Sequence, residues 1–205
     1  MTAEDLASRI ASALPSEERR QIIAVAGPPA SGKSTVALHL TDHLVAAGRT
    51  AVLVPMDGFH LDNRILDERG LRSRKGAPET FDHAGFIHLI QRISAGEDAI
   101  APVFDRGLDL AIAGAELIPG SAEVVVVEGN YLLLDEPEWR SLVPLWTFSV
   151  FLDVPEPVLE DRLVQRWLEH GHDADSARER ALSNDIPNAR RTLRNRMPAD
   201  IVLSE

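Results

Sequence analysis

The chain has 205 residues, no cysteine, and 32 acidic against 21 basic side chains, a formal charge of −11. That length suits one α/β unit with a well-buried core, the missing thiols exclude disulfides and cysteine-based metal sites, and the acidity argues against a surface that coats nucleic acid. The expected partner is a small molecule, and with no long apolar stretch at the N-terminus the expected protein is cytoplasmic and free of membrane.

In chain order, a helix is expected over 6–13, followed by the apolar run Ile22-Ile23-Ala24-Val25-Ala26. Next comes Gly27-Pro28-Pro29-Ala30-Ser31-Gly32-Lys33-Ser34, then a helical pattern over 33–47 that Gly48 closes. This is a complete phosphate-binding loop. Its glycines let consecutive backbone N–H groups turn inward around phosphates, Lys33 places a cation between them, and the Ser34 hydroxyl suits Mg²⁺. The same residues would also fit an ordinary Gly/Pro turn capping a helix. A strand before and a helix after are the context the phosphate loop requires, so a nucleoside triphosphate is the expected ligand.

Further apolar runs lie at 51–55, 124–128, 148–153 and, more weakly, 201–203; helices are expected over 84–94, 157–170 and within 176–196. Continuous β-branched runs alternating with helical segments indicate strands buried on both faces of a parallel sheet. The region 105–122, rich in Gly and small residues, is expected to form a hairpin or irregular excursion. Ligands gather at the carboxyl ends of such strands. Asp57 and Glu128 are therefore expected near the triphosphate, organising Mg²⁺ or accepting the proton of an attacking hydroxyl, with helix capping as the other role open to them. Asp153, ahead of two prolines, reads as a cap or turn residue.

Only Lys33 and Lys75 are lysines, and general composition accounts for most of the nineteen arginines. The cluster Arg64, Arg69, Arg72, Arg74 and Lys75 is interrupted by Asp62, Asp67 and Glu68 and reads as a solvated mixed-charge loop, which still leaves it able to draw an acceptor bearing a phosphate or carboxylate. The spacing of His60, His83 and His88 does not make a metal site. His60 and His83 flank the presumed acceptor pocket, and each serves equally well as a loop hydrogen-bonding residue.

The loop 27–34, together with Met56-Asp57-Gly58-Phe59-His60, Glu68-Arg69-Gly70-Leu71, 75–82 (Lys-Gly-Ala-Pro-Glu-Thr-Phe-Asp), Ala101-Pro102-Val103-Phe104 and Val127-Glu128-Gly129, resembles the P-loop kinases that include uridine kinase, bacterial pantothenate kinase and phosphoribulokinase. The resemblance covers nearly the whole chain and is greatest to small bacterial members described as fructose-transport-associated or nucleoside kinases. It implies a single P-loop kinase domain over 1–205: a three-layer α/β sandwich with a mainly parallel five-stranded sheet and a small helical lid around 162–180. It implies ATP and Mg²⁺ as cofactors and phosphoryl transfer to a hydroxyl of a sugar, nucleoside or pantothenate-like acceptor.

Carried onto matching positions, the resemblance puts the nucleotide on Gly27, Ala30, Ser31, Gly32, Lys33, Ser34 and Thr35, and Mg²⁺ on Ser34 and Glu128. Asp57 becomes the general base, with Lys33 and Arg166 as its catalytic partners and Arg162 as a second lid candidate. The acceptor is expected among Asp57, Phe59, His60, Asp82, His83 and Arg106. Two departures stand out: Trp167-Leu168-Glu169-His170 replaces the Arg and Asp that continue the uridine kinase lid, which leaves Arg178 or Arg180 to supply it, and Asp105-Arg106 replaces a Ser-His pair of pantothenate kinase. A P-loop ATPase or nucleotide-binding regulator, and a non-catalytic assembly subunit, remain open from sequence, as does a homodimer packed through apolar helix faces.

Overall fold

The computed structural model describes residues 3–14 and 20–204. Helix α1 (Ala3–Ala13) leads to strand β1 (Gln21–Ala26), all of it buried, and helix α2 (Lys33–Ala46) follows the loop 27–32. Strand β2 (Ala51–Pro55), short helix α3 (Asn63–Glu68) and helix α4 (His83–Ser94) come next. Strands β3 (Ala99–Asp105) and β4 (Leu110–Ile118) precede β5 (Val124–Gly129). The rest of the chain forms α5 (Pro137–Arg140), β6 (Phe148–Asp153), α6 (Glu156–Glu169), α7 (Ala174–Arg180), α8 (Ile186–Arg194) and β7 (Ile201–Ser204).

The expected parallel sheet is present, in the order β2-β5-β1-β6-β7. Successive side chains of a strand point to opposite faces. Ile22, Ala24 and Ala26 accordingly join Phe86, Ile90 and Trp139 on one side, while Ile23 and Val25 meet Ala7, Ile10, Leu40 and Leu44 on the other. Covering both faces is what a continuous apolar run requires, and each fully buried Val or Ile contributes roughly 1.5–3 kcal/mol relative to exposure. Gly48, at φ +86°, ends α2 as expected: its N–H reaches the Val45 carbonyl at 2.9 Å and the Arg49 N–H the Leu44 carbonyl at 3.0 Å.

Two features refine the sequence expectation: the hairpin offered for 105–122 begins earlier, at Ala99, and the last helical stretch is interrupted. The region 105–122 holds the second strand of an antiparallel hairpin whose first strand, β3, carries no buried β-branched run. The pairing is irregular between Ala101 and Val103, around Pro102, which has no N–H to give the ladder. The 3₁₀ turn Met56–Phe59 packs against this hairpin, and a Cβ on Gly58 would stand 2.2 Å from the Pro102 carbonyl oxygen, so glycine is what allows the approach. The helix expected within 176–196 is α7 and α8 joined by the π-helical turn Ala181–Asp185. Pro187, in the first turn of α8, cannot continue the normal hydrogen-bond ladder, and the Ile186 N–H instead bonds the Ala181 carbonyl. The layer α6–α8 has its own small core of Leu159, Leu163, Ala181, Ile186 and Ala189. No helix of the described residues is long and apolar enough to cross a membrane.

Candidate active site

Because β1 lies between β5 and β6, the loop 27–32 leaves the sheet centrally, with the ends of β2 and β5 beside it. Ala30 at φ +62° and Gly32 at φ +87° both take left-handed backbone, which aims successive N–H groups to the inside of the loop. For Ala30 that conformation costs about 1–2 kcal/mol, a strain of the kind that collects at ligand-binding loops. The N-terminus of α2 has no side-chain cap on Gly32 and no acid in its first turn, so its orphan N–H groups and the positive end of its dipole stay free for an anion. Gly27 is buried beneath the loop, and Ser31 Oγ is buried there without a hydrogen-bond partner.

Lys33 is half-buried, and burial pushes its ammonium pKa down against the opposing pull of Glu128 and Asp57. Glu128 is 5% exposed, at the end of β5 in register with Val25 and Pro55. Burial raises its pKa, and Lys33 and the neighbouring Ser34 hydroxyl oppose the rise. Its Oε2 has no partner. A buried, unsatisfied carboxylate oxygen beside a serine hydroxyl fits a hard cation whose remaining ligands come from phosphates and water. Among the described residues there is no cluster of three or more His, Asp or Glu suited to a metal.

Two cavities meet here. The larger, of about 670 Å³, runs between the start of α2 and α6 and is lined by Ala30, 32–35, Arg162, Gln165 and Arg166. The smaller, of about 180 Å³, lies between the end of β2, the tip of the β3–β4 hairpin and α7, and includes Asp57, His60, Arg106, Asn130 and Arg180. Lys33, Ser34 and Arg166 border both; Asp57 borders only the smaller. Arg166 is half-buried, and burial lowers its pKa. Arg106 donates to Asp57 Oδ2 at 2.9 Å and so fixes the carboxylate's orientation. His60 donates from Nδ1 to the Asp57 carbonyl at 2.8 Å, between the rings of Phe81 and Phe104 at centroid distances of 4.1 and 4.6 Å. Burial lowers its pKa, so the neutral ring keeps Nε2 as an acceptor.

Of the residues expected at the acceptor, Asp57, His60 and Arg106 line the smaller cavity; Phe59, Asp82 and His83 do not. Phe59 packs edge-on against Phe86 at 5.1 Å as part of the core. Asp82 is the α4 N-cap, accepting from the Gly85 N–H at 2.9 Å, and His83 lines a separate cavity with Trp139 and Arg191. Arg178 turns away to pair with Glu160 at 3.1 Å, whereas Arg180 reaches the cavity. Asp153 pairs with Arg196 at 3.4 Å.

Lys75 is not solvated: its side chain is 9% exposed and its Nζ donates at 2.8 Å to Asn63 Oδ1, Asp109 O and Asp109 Oδ1. Sequence reasoning also passed over Asn130, whose buried Oδ1 lacks a partner, and Asp185, which accepts from Trp167 Nε1 at 2.6 Å. Asn130 had a signal, its place just beyond β5; Asp185 had none, because the π turn orients it.

The sequence model of the "Phosphoribulokinase / Uridine kinase family" matches residues 22–203. A solved structure from Silicibacter sp. TM1040, described as a "putative fructose transport system kinase", is 49% identical, with a TM-score of 0.92 and 98% of each chain covered. The "Uncharacterized protein YggC" of Escherichia coli (strain K12) is 35% identical over 191 residues, 91% of this chain and 78% of that one. The "Putative uridine kinase C227.14" of Schizosaccharomyces pombe is 30% identical over 198 residues, covering 92% and 84%. With the family model matched over residues 22–203, the chain belongs to the phosphoribulokinase/uridine kinase family of P-loop kinases.

Proposed function

We propose that the protein transfers the γ-phosphate of ATP to a hydroxyl group of a small molecule. The observation that carries this reading is the shared wall: Lys33, Ser34 and Arg166 border both cavities, while Asp57 stands on the smaller one alone. A two-substrate transfer needs that arrangement, with cations where phosphoryl charge spreads and a carboxylate where the hydroxyl loses its proton.

ATP bound with Mg²⁺ supplies the phosphoryl group, with the nucleotide on 27–35 and the cation on Ser34 and Glu128. Asp57 accepts the acceptor's proton on a carboxylate that Arg106 holds in place. Lys33 and Arg166 stabilise the transferring charge from opposite elements, α2 and α6, in a half-buried setting where such contacts are stronger than in water. The segment 162–180 serves as the lid, with Arg162 donating to the Ala30 carbonyl at 3.4 Å and Arg166 facing the wall. His60 Nε2 and the unpartnered Asn130 Oδ1 are available to position hydroxyls.

The test is ATP turnover against a panel of sugars, polyols, hydroxy acids, nucleosides and pantothenate, with products identified by mass. A phosphorylated acceptor that disappears with Lys33→Ala supports the reading. ADP release at the same rate with and without every acceptor contradicts it and favours a P-loop ATPase.

A further inference from the structure

Five cationic side chains line the smaller cavity against three acids, in a protein whose formal charge is −11. Local pairing uses up part of this set. Asp109 is committed to Lys75 at 2.8 Å, Asp57 to Arg106 at 2.9 Å, and Asp185 accepts from the Trp167 indole at 2.6 Å. Lys33 has Glu128 nearby as a balancing charge. Arg166 and Arg180 are left, both half-buried; neither has a carboxylate within 4.0 Å among the described residues, and the two share the more distant Asp185 as balancing charge, which leaves one positive charge in excess.

These two arginines face different tasks. Arg166 also borders the nucleotide cleft, so the transferring phosphate neutralises it; Arg180 borders only the acceptor side. Arg180 is also built in place. Its guanidinium lies 5.2 Å from the centroid of the Trp167 ring, and its Nη1 donates to the Ser73 carbonyl at 3.1 Å. A planar cation held this way still has donors to give, and with Asp185 shared between two arginines and touching neither, a ligand carrying its own negative charge is favoured there. The cavity, about 180 Å³ against about 670 Å³ for the nucleotide cleft, suits a compact ligand.

We infer that the acceptor is a small hydroxylated anion, whose carboxylate or phosphate monoester is bound by Arg180 while its hydroxyl meets Asp57. This rests on the phosphotransferase reading above and narrows it to a substrate class. The step is a simple exchange: the acceptor oxygen forms a bond to the γ-phosphorus, the bond from that phosphorus to the β–γ bridging oxygen breaks, the hydroxyl proton passes to Asp57, and ADP leaves. Arg180 takes no part in the bond changes and sets specificity.

The experiment compares matched probes of equal chain length: glycerate and threonate, glycerol 3-phosphate and erythritol 4-phosphate, glycerol and erythritol, with uridine for bulk. Each is assayed for phosphorylated product by mass and for kcat/KM, in the wild type and in Arg180→Gln and Arg180→Lys, with ATP binding and melting temperature measured as checks on folding. One anionic series is expected to exceed its neutral counterpart by about tenfold or more, and which one identifies the headgroup. Arg180→Gln is expected to lower the anionic-to-neutral ratio of kcat/KM by about 30- to 100-fold, mainly through KM, and Arg180→Lys to restore part of it. Preference for the neutral polyols or uridine, or an equal loss toward all acceptors in Arg180→Gln, overturns the inference and leaves the kinase reading standing. Acceptor-independent ADP release with no phosphorylated product overturns both.

Discussion

Replacing Lys75 by Met tests how the hairpin tip is held over the acceptor cavity. The Lys75 ammonium makes three hydrogen bonds at 2.8 Å, to Asn63 Oδ1 and to both the carbonyl and carboxylate of Asp109, and lies 5.2 Å from the Phe104 ring centroid. Charge-assisted bonds are worth about 1.5–3 kcal/mol each, but they are not additive, and removing a buried ammonium returns part of its desolvation cost. The Asp109 side chain is also 52% exposed, which screens that contact. Asp109 itself sits at φ +54°, an unfavourable conformation of about 1 kcal/mol that these bonds maintain. The net expectation for Lys75→Met is a loss of about 2–4 kcal/mol in equilibrium urea unfolding. Asp109→Asn, which tolerates the left-handed backbone and removes only the charge, should lose about 1 kcal/mol. Because Arg106 occupies the same turn, Lys75→Met should also raise the acceptor KM while ATP affinity holds. A Lys75→Met protein within about 0.5 kcal/mol of wild type and with an unchanged acceptor KM would refute this account of the hairpin.

Arg166→Ala should reduce kcat by about 10²- to 10³-fold with at most a several-fold change in ATP affinity, measured by turnover and nucleotide titration, since its cation is placed at the wall between the cavities. Burial raises the folded-state pKa of Glu128 above 4.5, so its ionisation weakens the fold progressively as pH climbs from 4.5 through that raised value. Glu128→Gln should therefore gain in melting temperature relative to wild type between about pH 4.5 and pH 8, while Mg²⁺-dependent turnover collapses. Burial holds the folded-state pKa of His60 below 6.5, so its contribution is complete above 6.5 and is lost as pH falls through 6.5 toward the folded value, where the unfolded chain binds the extra proton first. His60→Gln should flatten that acid-side leg of the stability profile, measured by thermal melts across pH.

The sheet was legible because its strands are short, continuous and β-branched, as Val124-Val125-Val126-Val127 is, and a strand buried on both faces tolerates little else. The hairpin was legible only as one of two options over 105–122, and its first strand not at all, because β4 is largely solvent-exposed and β3 carries Pro102 at its irregularity, so neither shows the period that burial imposes. At the site, residues fixed by the backbone were readable: the loop 27–34, and Asp57 and Glu128 at strand ends. Residues brought in by tertiary packing were not. Lys75 looks like one more charge in a mixed run until Asp109 arrives from a hairpin 34 positions away. Asp82 and His83 follow a motif into the right stretch of chain, but α4 takes Asp82 as its cap and carries His83 around to the Trp139 side. Trp167, where the resembling kinases carry charge, became intelligible only with Arg180 against its ring and Asp185 on its indole N–H.

The central claim is that Asp57, on the acceptor side of the shared wall, takes the proton from a substrate hydroxyl. The direct measurement is phosphorylated-acceptor formation by Asp57→Asn beside wild type at saturating ATP, with nucleotide affinity determined on the same preparations. A loss of about 10²- to 10⁴-fold in turnover with ATP affinity kept within a few-fold is the predicted result. Turnover at the wild-type rate in Asp57→Asn would contradict it.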